Sequence, residues 1–128
     1  MRFDRALVVD DEPGSRAVLK HILELGGLSV EAVSSGRAAL ERIRAHHPDL
    51  VVTDIRMPGI TGVQMAIRIR EEGGEVPTLV AVTRHPEDVT DPDVFALVLR
   101  KPVSPSRLLA WLRDGDEAPS ANGSAGGV

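Results

Sequence analysis

The chain has 128 residues, a single-domain length with room for one hydrophobic core, and 42% of them are apolar against 27% charged. Lys and Arg number 15 and Asp and Glu 19, a net charge of −4 that argues against a broadly basic surface for nucleic acid or anionic membrane. Aromatics are 2% (Phe3, Phe95, Trp111, no Tyr) and cysteine is absent, which sets aside base-stacking platforms, disulfides, Cys-based zinc sites and thiol nucleophiles.

The amino terminus, Met1-Arg2-Phe3-Asp4-Arg5, lacks the apolar stretch of a signal peptide, and no apolar run approaches a membrane span; the expectation is a cytoplasmic protein. The first predicted strand, Ala6–Val9, is apolar without alternation, the pattern of a strand buried on both faces of a parallel sheet, and it ends in Asp10-Asp11-Glu12. A helix is predicted over 16–25, with Val18, Ile22 and Leu25 at i, i+4 and i+7, closed by Gly26-Gly27. Strand Ser29–Val33 leads to a Ser34-Ser35 cap and a helix over 36–46 that buries Leu40 and Ile43, with His46-His47 near its C-terminal dipole. Strand Leu50–Thr53 ends in Asp54, and a helix over 63–72 places Val63, Ala66, Ile67 and Arg70 on one side before Gly73-Gly74. Strand Thr78–Val82 is closed by Thr83. Between it and the fifth strand, Phe95–Leu99, lies a segment, 84–93, interrupted by Pro86 and Pro92, so the helix there is expected to be short or absent. Lys101 closes the fifth strand. Ser104-Pro105 starts a last helix carrying Leu108, Leu109 and Leu112, and Trp111 reads most simply as a packing residue. From Gly115 the composition turns to Gly, Ser, Ala, Asn and Pro. Residues 1–114 are therefore read as one domain and 115–128 as a disordered tail, whose Asn122-Gly123-Ser124 sequon carries no weight without an export signal.

Strand–helix alternation implies right-handed crossovers and an open α/β sheet; five strands are too few for an eight-stranded barrel. The favoured architecture is a flavodoxin-like, doubly wound parallel sheet of order 2-1-3-4-5, with ligands expected beyond the carboxyl ends of the strands. There the acidic run 10–12 and Asp54 converge, since the first and third strands are neighbours. A lone strand-end aspartate most often caps a helix. Several together repel one another and call for a positive partner, and hard oxygen ligands select Mg²⁺. Thr83 and Lys101, at the ends of the fourth and fifth strands, add a hydroxyl donor and a fixed cation on the same rim. Both suit a phosphoryl group held near Asp54.

Leu7-Val8-Val9-Asp10-Asp11-Glu12, Val51-Val52-Thr53-Asp54-Ile55-Arg56-Met57-Pro58-Gly59, Thr83 and Lys101-Pro102, each in order at a strand end, resemble the receiver domain of two-component response regulators over roughly residues 4–113. The resemblance implies that Asp54 is the phosphoacceptor, attacking a phosphohistidine on a sensor histidine kinase or phosphotransfer protein. It implies Mg²⁺ held by Asp10, Asp11 (the more direct ligand), Asp54 and the backbone carbonyl of Arg56, with Thr83 and Lys101 contacting the phosphoryl group and a cis Lys101-Pro102 bond. A domain of this kind is not an enzyme acting on an external substrate; it catalyses only its own phosphorylation and dephosphorylation. None of His21, His46, His47 or His85 is needed, because the donor histidine belongs to the kinase.

The chain departs from the family in three places. Receivers place Tyr or Phe three positions before the lysine, where this chain has Val98; strand alternation puts Phe95 on the opposite face, so the resemblance does not carry over that aromatic partner of the threonine. The residue after the threonine is commonly small, and here it is Arg84, followed by His85. The connection between the fourth and fifth strands is reduced. With Arg56, residues 84 and 85 read either as gates on the phosphoryl group or as solvated loop charges. The sequence ends soon after its last helix, so the output is expected through another protein rather than nucleic acid or membrane, with the oligomeric state open. The competing reading is a pseudo-receiver that binds partners independently of phosphorylation. A Mg²⁺-dependent hydrolase fits less well, because Arg56 stands where a second acid would be needed.

Overall fold

The computed structural model describes residues 2–91 and 93–115. Pro92 and residues 116–128, which include the sequon and nearly all of the predicted tail, lie outside them. The first apolar run forms β1 (Arg5–Val9), flanked by β2 (Ser29–Val33) and β3 (Leu50–Thr53); β4 (Thr78–Thr83) and β5 (Leu97–Arg100) complete a five-stranded sheet of order β2-β1-β3-β4-β5, every pair parallel. This is the predicted doubly wound, flavodoxin-like α/β architecture.

Because side chains alternate along a strand, the continuous apolar runs feed two separate cores. Ala6, Val8, Val52, Val80, Leu97 and Leu99 face one side, where α1 (Pro13–Leu25) and α4 (Pro105–Asp114) cover them with Leu19, Ile22, Leu23, Leu108, Trp111 and Leu112. Leu7, Val9, Val51, Leu79 and Ala81 face the other, under α2 (Gly36–His46) and α3 (Gly62–Glu72). Each fully buried aliphatic side chain stabilises the fold by about 1.5–3 kcal/mol. Trp111 is buried and stacks on Phe3 with ring centroids 5.5 Å apart, as its packing role requires.

The helix ends follow their side chains. Ser35 accepts a hydrogen bond from the Ala38 amide, Thr61 and Gln64 form a reciprocal capping box, Ser104 accepts from Arg107, and Pro13 and Pro105 occupy first turns. Gly27 takes the left-handed φ of +94° that turns the chain from α1 into β2.

The structure corrects four expectations. Helix α1 begins at Pro13, three residues early, because proline is pre-formed for a first turn. Its buried face is Leu19, Ile22 and Leu23, while Val18 and Leu25 are 53% and 64% exposed; the apolar arc is wider than the stripe the sheet covers, and only its centre is buried. On α3 the covered residues are Met65, Ala66 and Ile69, with Ile67 exposed and Val63 half-buried. Strand β5 runs over Leu97–Arg100 rather than from Phe95, so Phe95 precedes the strand and escapes its alternation: it is buried in the same apolar cluster as Val98, not on the opposite face. Among the described residues between β4 and β5 the helical structure is a single 3₁₀ turn, Pro86–Asp88, in keeping with the expectation of a short or absent helix.

Candidate functional site

The sheet's hydrogen-bond ladder continues one residue beyond three strands and carries the site with it. The Asp10 amide donates to Val33 O at 3.1 Å, the Asp54 amide to Val9 O at 2.9 Å and the Lys101 amide to Thr83 O at 2.9 Å. Backbone pairing alone therefore sets the origins of these side chains along one rim. Asp10 is fully buried, and Asp54 and Thr83 are 7% and 1% exposed. The carbonyl of Asp54 faces the start of α3 so closely that a Cβ on Gly62 would lie 2.2 Å from it, and the Gly62 amide donates to Ile55 O at 2.8 Å. Only glycine permits that approach.

Lys101 joins the carboxylates. Its Nζ lies 2.8 Å from Asp10 Oδ2, 2.9 Å from Asp54 Oδ2 and 3.5 Å from Glu12 Oε1, with 6% of the side chain exposed. Burial disfavours the ammonium, but the hydrogen bonds to Asp10 and Asp54 outweigh it, so the Lys101 pKa stands above its ordinary value. Asp10 is held further by the Ser15 hydroxyl, 2.7 Å from Oδ2, and by the Glu12 amide, 3.0 Å from Oδ1. Asp54 Oδ1 accepts from the Ile55 amide at 2.6 Å. Its Oδ2 is the oxygen shared with the lysine.

Asp10, Glu12 and Asp54 each present a carboxylate oxygen such that the three lie within 4.8 Å of one another. Lys101 and, from the solvent side, Arg84 at 2.9 Å from Glu12 bring two positive charges against three carboxylates, which leaves the set net anionic. The donor set is all oxygen and anionic, the chemistry that suits a small hard divalent cation such as Mg²⁺ rather than a thiophilic metal. Asp11, which the family resemblance makes the more direct ligand, is not in this close set; it lines an adjoining cleft of about 210 Å³ together with Glu12, Asp54, Arg56, Thr83, Arg84 and His85. Thr83 faces that cleft from the end of β4, its Oγ1 accepting from the His85 amide at 3.0 Å. The Arg56 side chain is turned to Asp88, with contacts of 2.6 and 3.2 Å.

Sequence reasoning placed Glu12 on the rim without a role. Its membership of the set comes from a bend over Asp11 and Glu12, in which the Glu12 amide donates back to Asp10 Oδ1 at 3.0 Å, a local turn that the residue types alone do not announce. Ser15 and Gly62 were also missed; neither type is distinctive in a sequence, and only the fold shows what each touches. The Lys101-Pro102 peptide is cis, as the resemblance implied.

Such a carboxylate rim on a 2-1-3-4-5 sheet, crossed by one buried lysine, defines a class, and sequence comparison agrees: the chain matches the response regulator receiver domain over residues 6–113 and belongs to that family. Among curated proteins it is 38% identical over 112 residues to response regulator MprA of Mycolicibacterium vanbaalenii, an alignment covering 85% of this chain and 48% of that protein. The chain thus spans about half the length of the curated relatives it matches. Among solved structures it resembles a CheY-like receiver domain from Methylobacillus flagellatus, with a TM-score of 0.81 and 25% identity over 89% of this chain and 99% of the other. It also resembles response regulator TrrA of Thermotoga maritima, solved in complex with Mg²⁺ and BeF, with a TM-score of 0.77 and 29% identity over 87% and 97% of the two chains. Among the described residues no helix is long and apolar enough to cross a membrane.

Proposed function

We propose that this receiver domain accepts a phosphoryl group on Asp54 from a phosphohistidine of a sensor kinase or phosphotransfer protein, with Mg²⁺, and signals through a phosphorylation-biased change in protein binding. The observation that carries this reading is Asp54 itself: a strand-end carboxylate opening into the cleft, with one oxygen on a backbone amide and the other shared with Lys101. Asp10, Asp11, Glu12, Asp54 and the carbonyl of Arg56 are the groups that would hold the cation, which when bound offsets charge on the phosphoryl oxygens.

In the transfer, a carboxylate oxygen of Asp54 attacks phosphorus. The P–N bond to the donor histidine breaks, its electron pair stays on the imidazole nitrogen, and an acyl phosphate remains on Asp54. The Ile55 amide and Lys101 hold the carboxylate in place for attack. Hydrolysis reverses the modification: water attacks phosphorus, the P–O bond to Asp54 breaks, and carboxylate and inorganic phosphate result. Thr83 currently accepts a hydrogen bond, so its own O–H can donate to a phosphoryl oxygen. Contacts made only in the modified state bias a two-state equilibrium. A shift from 1:99 to 99:1 needs roughly 5.5 kcal/mol, within reach of a few charge-assisted hydrogen bonds of about 1.5–3 kcal/mol each.

The test is incubation with a small acyl phosphate and Mg²⁺ followed by intact mass. One phosphoryl increment on the wild type, absent from Asp54→Asn, is the expected result. No increment, or one that survives Asp54→Asn, overturns the reading, and the first of these would leave a phosphorylation-independent binding module.

A further inference from the structure

Glu12 and Arg84 face each other across the mouth of the site from the loops after β1 and β4. Arg84 Nη1 lies 2.9 Å from Glu12 Oε1, with 60% and 46% of the two side chains exposed. That same Oε1 is 3.5 Å from Lys101 Nζ, and Glu12 belongs to the oxygen set with Asp10 and Asp54. Glu12 therefore has two competing employments, the guanidinium outside and a cation inside. Arg84 follows Thr83 directly and lines the same cleft as Asp54. Its backbone is pinned, with its carbonyl accepting from Arg100 at 3.3 Å, the Thr83 carbonyl accepting from Lys101, and the Thr83 hydroxyl accepting from His85. The side chain can thus change partner without moving the loop.

We infer that Glu12 and Arg84 form an exchangeable latch: on loading, Glu12 leaves Arg84 for the divalent cation, and Arg84 turns onto the phosphoryl oxygens carried by Asp54. Arg84 is then a phosphoryl-binding residue held in reserve and Glu12 a cation-binding one, each occupying the other while the site is empty. An exposed ion pair is worth little, so releasing it costs little, whereas a guanidinium meets a phosphoryl group through paired N–H donors. The inference rests on the phosphoacceptor reading of Asp54.

Calorimetric titration of the full chain tests it with two probes: Mg²⁺ alone, then beryllofluoride, a phosphoryl stand-in, at saturating Mg²⁺. Arg84→Gln should tighten Mg²⁺ about threefold, by freeing Glu12, and weaken beryllofluoride by at least as much. Glu12→Gln should weaken Mg²⁺ and leave beryllofluoride unchanged at saturating Mg²⁺. In the double variant the tightening by Arg84→Gln should disappear, because it acts through Glu12. Arg44→Gln, which removes the same charge from the remote pair with Glu72, should change neither titration. Equal-sign shifts in both titrations for Arg84→Gln, or none, overturn the latch while leaving the phosphoacceptor reading in place. A wild type that binds neither probe overturns both.

Discussion

At the residue scale, the site depends on one buried cation, Lys101, and one residue with no side chain, Gly62. Among the described residues Lys101 is the one buried cation against Asp10 and Asp54, and removing it takes the positive partner from a fully buried carboxylate. Lys101→Met should cost on the order of 2–3 kcal/mol in denaturant unfolding without divalent cation. Added Mg²⁺ should recover more stability in that variant than in the wild type, since the metal supplies the missing positive charge. Gly62→Ala drives a Cβ into the Asp54 carbonyl, a backbone atom that cannot step aside without moving the acceptor. Its expected cost is about 1–3 kcal/mol by the same measurement, with slower phosphoryl uptake from a small acyl phosphate.

At the scale of elements, α3 is tied to the site at its first turn and to α2 along its length. Thr61→Ala removes half of the capping box and should lower unfolding free energy by about 1 kcal/mol. Arg44 on α2 pairs with Glu72 on α3 at 2.5 Å, and its hydrogen bond holds the Glu72 pKa below the ordinary 4.5. A carboxylate with a depressed folded pKa stabilises above its unfolded value and loses that contribution as pH falls through the folded one. The melting temperature of Glu72→Gln should therefore lie slightly below wild type at neutral pH, and the gap should close below 4.5. Strands and two of the caps were legible because local chemistry sets them: Ala6-Leu7-Val8-Val9 has no polar face to expose, and Ser35 and Ser104 each meet a waiting amide. Helix faces were less so. Val18 and Ile67 are as apolar as their buried neighbours, and only the docking angle on the sheet decides which are covered. Phe95 was misplaced because alternation was extended two residues beyond where β5 begins.

At the scale of the whole molecule, the strand order brings residues separated by 91 and 47 positions, Asp10 and Asp54 with Lys101, into hydrogen-bond contact. Their convergence was readable because each follows a strand, and strand ends converge in this topology. Glu12's pairing with Arg84 was not, because it depends on how two loops meet. Cation binding should stabilise the fold by mass action, by about 2.7 kcal/mol at a concentration 100-fold above Kd, and this gain should be largely lost in Asp10→Asn or Asp54→Asn. The central claim is that Asp54 and no other residue carries the phosphoryl group. Borohydride reduction of the acyl phosphate, followed by peptide sequencing of the phosphorylated chain, tests it directly. Homoserine at position 54 alone is the expected result; reduction at Asp10, Asp11 or Glu12, or a phosphoryl group that resists borohydride, would contradict it.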